Sequence, residues 1–290
     1  MTITVTPLHR LFVAEISGAD LARPLAAAEL DQIRRTLDTC GVGVFHAEYP
    51  LADEAHIAFS RLLGPIDVTP VFKVTGRRPR LPFRELQDVS NLDETGRIQQ
   101  PDSRVALFRK GDRLWHTDMS FHENRATFSA LSAHVVPPEG GDTEFADMRA
   151  AYAALPEGMK ARIDGLVAEH SIWHSRRVAG FPEPTEEELA SRPPVHHPLV
   201  HRHRGSGRKA LYLAAHASHI VGWPVEEGRA LLAELMALAT RPDFVYRHRW
   251  TRGDLVIWDN LCTMHRGTPF PDTIHRRDMR RTTMRERAAA

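Results

Sequence analysis

Residues 114–141 read LWHTDMSFHENRATFSALSAHVVPPEGG. Leu114–Phe121 and Thr127–Val136 are strand-like runs, and Pro137-Pro138-Glu139-Gly140-Gly141 is a turn signal. Upstream, Leu30, Ile33 and Leu37 repeat at helical spacing within Ala26–Cys40, and Gly41 then leads into the β-rich Val42-Gly43-Val44-Phe45. Asp53–Leu63 reads as a short helix ending at Gly64-Pro65. Downstream, Asp147 stands as N-cap of a helix over Met148–Leu155 that continues to about Glu169. Leu211–Ile220 is read as a strand, Pro224–Ala239 as an amphipathic helix, and Phe244–Trp250, Leu255–Trp258 and Arg276–Thr283 as further strands. Two polar stretches, about 75–113 with a short strand signal at Val89–Leu92, and 171–208, read as loop or lid insertions. Many short strands with helices grouped at one end predict a mainly β fold with helical insertions, a closed double sheet. Without a repeat or a break in composition, residues 1–290 are expected to form a single domain. The strand–helix alternation is too irregular for a doubly wound fold, and Gly140-Gly141 lacks the trailing Gly or Lys of a phosphate loop.

The 290 residues are 42% hydrophobic and 26% charged, which suits an ordinary globular chain rather than a disordered or fibrous one. A net charge of +1 gives no basic excess for non-specific nucleic-acid binding, so no nucleic-acid partner is expected. No signal-like N-terminus and no run near 18 apolar residues is found, so no membrane association is expected and the protein is read as cytoplasmic. Cys40 and Cys262, far apart in apolar runs, read as reduced core thiols. Seventeen histidines make metal chemistry worth seeking, and spacing has to decide it.

On a strand, residues i and i+2 share a face, so His116 and Asp118 would present an imidazole and a carboxylate to one point. His265, after the strand-like Leu255–Trp258, is a third candidate ligand. Two histidines and one carboxylate with open positions is the arrangement of non-haem Fe(II) oxygenases. In Arg276-Arg277-Asp278-Met279-Arg280-Arg281, period 2 puts Arg277 and Arg281 on one face and Arg276 and Arg280 on the other. Two inward guanidinium groups require anionic partners, which two small-molecule carboxylates would supply. Other clusters are weaker. His201 and His203 have no acid nearby in sequence, and His170/His174 follow Glu169 in the wrong order for a zincin. Trp115, Trp250 and Trp258 read as core, while Asp259 and Asn260 read as orienters of a ligand or as turn residues. A hydrolase using Asp118, Glu144 and Asp147 would leave Thr143, Arg277 and Arg281 unexplained.

These segments, together with Val135–Phe145, Ala215–His219 and Trp258–Gly267, resemble in order the TauD/TfdA family of Fe(II)/2-oxoglutarate-dependent dioxygenases. The resemblance covers nearly the whole chain and implies a double-stranded β-helix core of jelly-roll or cupin type. It implies iron held by His116, Asp118 and His265, with 2-oxoglutarate and O2 as co-substrates. It further implies Thr143 and Arg277 on the far carboxylate of 2-oxoglutarate, and Lys73, Met119, His216 and Arg281 about a small anionic substrate. His265 to Arg277 is one residue longer than the family spacing, which leaves Arg276 as the rival of Arg277. The implied reaction is hydroxylation of an aryloxyalkanoate beside its ether oxygen, giving a phenol, a 2-oxo acid, succinate and CO2. The alternatives are a sulfonate or other small-anion dioxygenase, and a non-catalytic cupin-like metal or anion-binding module. A homo-oligomer is expected by family habit.

Overall fold

The computed structural model describes residues 2–68 and 79–286. In spatial order its large sheet is β1 (Thr4–His9), β2 (Val13–Ser17), β3 (Val42–Phe45), β13 (Leu255–Asp259), β5 (Ala126–Val135), β15 (Asp278–Arg285) and β4 (Gln87–Asp88). A smaller sheet has the order β12 (Val245–His248), β6 (Thr143–Asp147), β14 (Thr263–Gly267). A third contains β11 (Ala217–Ile220), β7 (Val167–His170) and β8 (Val195–Pro198), and β9 (Val200–Arg202) pairs with β10 (Lys209–Leu211).

β13 explains how the layers hold together. Leu255 and Ile257 pack on helices α1 (Ala27–Cys40) and α2 (Asp53–Leu63) through Ile33, Leu37, Phe59 and Leu63. Val256 and Trp258 point the other way, into a core with Leu131, Met279 and Phe145 of the facing sheet. Both faces are covered, so the strand is an unbroken apolar run instead of an alternating one. Truncating Trp258 or Phe145 in this layer would cost about 3–5 kcal/mol. Behind the smaller sheet, Ala146 and Met264 pack with Leu231 and Leu235 of helix Val225–Ala239.

Parity sorts the basic C-terminal strand as expected. Met279 joins the inter-sheet core, and Arg281 reaches Asp118 on the same face. Arg280 turns outward to Asp53 of α2 at 2.6 Å, and Thr282 meets Ser60 at 2.7 Å.

Several boundaries differ from the sequence expectation. Leu114–Phe121 is not a strand: only His116 pairs, with His265, and the chain then turns through Met119 at φ 56°. The helix expected to run to Glu169 stops at Ala153, because Pro156 disfavours a helical residue before it. A second helix spans Glu157–Ile163, and Gly165 at φ 72° turns the chain into β7. Leu211–Ile220 divides into the end of β10 and β11. Both expected loops carry structure: β4 and helix Arg104–Arg109 in the first, helices Ile172–Val178 and Glu186–Ser191 with β8 and β9 in the second. β1, β2, β6 and β14 were not anticipated. Both cysteines are free, Cys262 buried. Among the described residues, no helix is long and apolar enough to cross a membrane.

Candidate metal centre and its two cavities

A two-way backbone pair brings the first two candidate ligands together. His116 N–H donates to the His265 carbonyl at 2.9 Å, and His265 N–H returns to the His116 carbonyl at 2.8 Å. Their Nε2 atoms lie 3.9 and 3.8 Å from Asp118 Oδ1 and Oδ2, and all three side chains are buried. One ligand atom from each falls within 4.8 Å of the others. His116 Nδ1 sits 2.7 Å from the Leu114 carbonyl, which places a proton on Nδ1 and leaves the Nε2 lone pair facing Asp118. Burial, and then His116, hold His265 well below the ordinary histidine range, so it too offers a lone pair. Two imidazole nitrogens and one carboxylate suit Fe(II).

Asp118 is held from both sides. Ser129 Oγ donates to Oδ2 and Arg281 Nη1 to Oδ1, each at 2.7 Å. Asn260 Oδ1 accepts the Asp118 N–H at 3.2 Å and Trp258 Nε1–H at 3.0 Å, while Asn260 Nδ2 donates to Ser129 Oγ at 3.0 Å. A closed ring of bonds thus ties the Asp118 backbone to its own carboxylate. Burial alone would raise this carboxyl, but Arg281, His265, His116 and Ser129 hold it at about 2.

Two cavities meet at the triad. One, of about 310 Å³, is walled by Thr143, Gly141, Trp258, His265 and Arg277. The other, of about 330 Å³, is walled by Phe83, Phe108, Phe121, Trp173, Met119 and His216. His116 and Arg281 line both. Thr143 pairs with Gly267 and Phe145 with His265, so Thr143 stands on the His265 face of the small sheet. Its hydroxyl accepts from Trp250 Nε1 at 3.0 Å, leaving its own proton to donate. Among the described residues the Arg277 side chain reaches only backbone carbonyls, Gly141 at 3.2 Å and Val89 at 3.4 Å. Among the described residues no carboxylate lies within 4.0 Å of it, and burial pushes its guanidinium down to about 10. A desolvated cation beside a free hydroxyl proton fits an anionic ligand such as a carboxylate. Arg276 instead bonds the Gly96 carbonyl at 2.8 Å on the surface, so Arg277 is the one that faces this cavity.

In the aromatic cavity, His216 is fixed by Ser175 Oγ at 2.8 Å, with its ring centroid 4.9 Å from Phe121 and 6.0 Å from His116. Burial, then Arg176, push it well below the ordinary histidine range. Arg281 lines this cavity and donates to Gln87 Oε1 at 2.6 Å as well as to Asp118. Lys73 lies outside the described residues. Of the other clusters, His203 Nε2 meets Asp259 Oδ2 at 2.8 Å beside Cys262, and its Nδ1 meets Ser206 at 2.8 Å, so both ring nitrogens have partners. Asp259 braces the β13–β14 turn through Leu261 N–H at 2.8 Å, whereas Asn260 orients Asp118. Sequence reasoning passed over Ser129 and Gln87, and read Trp250 as core without its bond to Thr143. Only the parity of β5 signalled Ser129, which lies opposite Trp258 on β13 and Thr283 on β15.

A family model described as taurine catabolism dioxygenase TauD, TfdA family matches residues 4–283. An alpha-ketoglutarate-dependent 2,4-dichlorophenoxyacetate dioxygenase of Cupriavidus pinatubonensis is 47% identical over 283 residues, covering 98% of each chain. An (S)-phenoxypropionate/alpha-ketoglutarate-dioxygenase of Sphingobium herbicidovorans is 34% identical over 277 residues, covering 93% of this chain and 90% of that one. Among solved structures, AAD-2 in complex with Mn(II) and N-oxalylglycine superposes with a TM-score of 0.93 at 45% identity, covering 98% of each.

Proposed function

The chain belongs to the TauD, TfdA family of dioxygenases, and from that premise we propose that it oxidises aryloxyalkanoates of the 2,4-dichlorophenoxyacetate kind beside the ether oxygen, using Fe(II), 2-oxoglutarate and O2. The observation that carries this reading is the meeting of two unlike cavities at one triad. His116, Asp118 and His265 hold the iron. Arg277 and the free proton of Thr143 take the far carboxylate of 2-oxoglutarate. Bound iron with 2-oxoglutarate and O2 supplies the oxidant, 2-oxoglutarate leaving as succinate and CO2.

The chain itself holds and aims the substrate. Phe83, Phe108, Phe121 and Trp173 give the aromatic ring an apolar wall. Arg281, which reaches both cavities, receives the alkanoate end, and His216 and Met119 complete that side. A clamp on the carboxylate sets the carbon between it and the ether oxygen against the triad. Hydroxylation there gives a hemiacetal, which collapses to a phenol and a 2-oxo acid.

The facing large and small sheets are read as the double-stranded β-helix of the jelly-roll type, supported by the inter-sheet core of Phe145, Trp258 and Met279. In the same reading the chain is one dioxygenase domain, whose stretches 79–113 and 171–208 wall the aromatic cavity.

Oxygen uptake and phenol release with 2,4-dichlorophenoxyacetate, both dichlorprop enantiomers and taurine test the proposal. Phenol from the aryloxyalkanoates is expected. Uptake with taurine alone would overturn the substrate class, and no uptake with any of them would overturn the oxygenase.

A further inference from the structure

The aromatic cavity has a second cationic corner that the reaction above does not use. Arg192, just after helix Glu186–Ser191, lines the cavity together with His122. Arg192 Nη1 lies 2.9 Å from His122 Nε2, so the imidazole accepts as a neutral ring. The guanidinium carbon stands 5.8 Å over the Phe121 ring, whose edge-to-face partner at 4.9 Å is His216.

Three of the other arginines that line this cavity are matched by carboxylates, while Arg109 donates to the Asp88 carbonyl at 3.1 Å and Arg84 is exposed. Arg80 pairs with Asp88 and Asp278, Arg176 with Asp112, and Arg281 with Asp118. Arg192 has no carboxylate within 4.0 Å among the described residues, and residues 69–78 contain no Asp or Glu. Asp67, also in the cavity wall, is engaged by Arg285 at 2.9 and 2.5 Å. Burial, then Arg192, hold His122 at about 4, and burial draws Arg192 itself below its ordinary value against the more distant pull of Asp67. A part-buried cation leaning on a neutral imidazole is short of an anion.

We propose that Arg192 and His122 form a second anion subsite of this cavity, and that it admits aryloxyalkanoates bearing a further carboxylate on the ring. The inference rests on the aryloxyalkanoate reading. With the alkanoate carboxylate at Arg281, the ring lies along the aromatic wall and its second carboxylate meets the Arg192 fork across Phe121. Without such a subsite, an aromatic wall would reject a ring carboxylate strongly.

The iron-loaded enzyme with 2-oxoglutarate is assayed on 3- and 4-carboxyphenoxyacetate and on the matching methylphenoxyacetates, which are close in shape and lack the charge. For the better isomer, kcat/KM of the carboxy compound is expected to equal or exceed that of its methyl partner. In Arg192→Gln this carboxy-to-methyl ratio falls at least tenfold, and Arg192→Lys retains it. A wild-type ratio below one-tenth, or a ratio that Arg192→Gln leaves within threefold, overturns the subsite. If Arg192→Gln does not fold, the wild-type ratio decides by itself. Turnover of the methyl compounds keeps the aryloxyalkanoate reading whichever way the ratio falls, whereas turnover of none of the four overturns both.

Discussion

Replacing Arg277 with glutamine should cripple 2-oxoglutarate binding while leaving the fold intact. Arg277 is half-buried, and among the described residues its side chain makes only two long bonds to carbonyls, at 3.2 and 3.4 Å. In the proposed reading its charge is met mainly by the far carboxylate of 2-oxoglutarate. Removing one partner of such a buried, hydrogen-bonded charge pair costs about 2–5 kcal/mol. At about 1.4 kcal/mol per factor of ten, the dissociation constant rises roughly 30- to 4000-fold. Thr143→Val removes one bond to a charged group, about 1.5–3 kcal/mol, or roughly 10- to 150-fold. Arg276→Gln is the control: that side chain is exposed and, among the described residues, holds only the Gly96 carbonyl, so its effect should stay within about twofold. Calorimetric titration of 2-oxoglutarate into the Mn(II)-loaded enzyme measures all three without turnover. Because burial already disfavours the charged Arg277, Arg277→Gln should also melt no lower than wild type in the absence of ligand. A 2-oxoglutarate affinity within threefold of wild type in Arg277→Gln, or an equal loss in Arg276→Gln, would refute the reasoning.

Two further outcomes follow from the same geometry. Asn260→Ala opens the ring that ties Ser129 to Asp118, and should weaken Fe(II) or Mn(II) binding about 10- to 100-fold; an unchanged metal affinity would remove Asn260 from its positioning role. Acid should destabilise the fold well before the carboxylates titrate, because burial lowers His56, His134 and His201 to about 4. The unfolded chain takes up protons below about pH 6.5 and the folded one only near 4, so this stability is complete above about 6.5 and is lost as pH falls toward 4. Fully buried His56 alone contributes about 3 kcal/mol, and a melting temperature that stays flat from pH 7 to 4.5 would contradict the assignment.

Much of the site was legible in sequence because its residues obey local rules. The C-terminal arginines follow strand period, and the structure sets Arg281 inward and Arg280 outward. His116 and Asp118 do converge, but for a different reason from the one their spacing suggested: one bridge to His265 and a turn at Met119 replace the strand. α1 and α2 were legible as amphipathic helices between Gly and Pro punctuation, with α2 ending where Gly64-Pro65 begins. β6 and β14 were not, since Thr143–Asp147 and Thr263–Gly267 mix polar and apolar residues whose strand state depends on pairing with each other. Ser129 and Gln87 carry no motif, and only the sheet register brings them to Asp118 and Arg281. The aromatic wall draws Phe83, Phe108, Phe121 and Trp173 from stretches far apart in the chain, so no local pattern announces it.

The most direct test of the central claim is the molar ratio of phenol to succinate released from 2,4-dichlorophenoxyacetate by the iron-loaded enzyme, measured beside Asp118→Ala. Two cavities meeting at one triad predict one phenol per succinate, with both products lost together in Asp118→Ala. Succinate formed without phenol, or phenol that persists in Asp118→Ala, would contradict it.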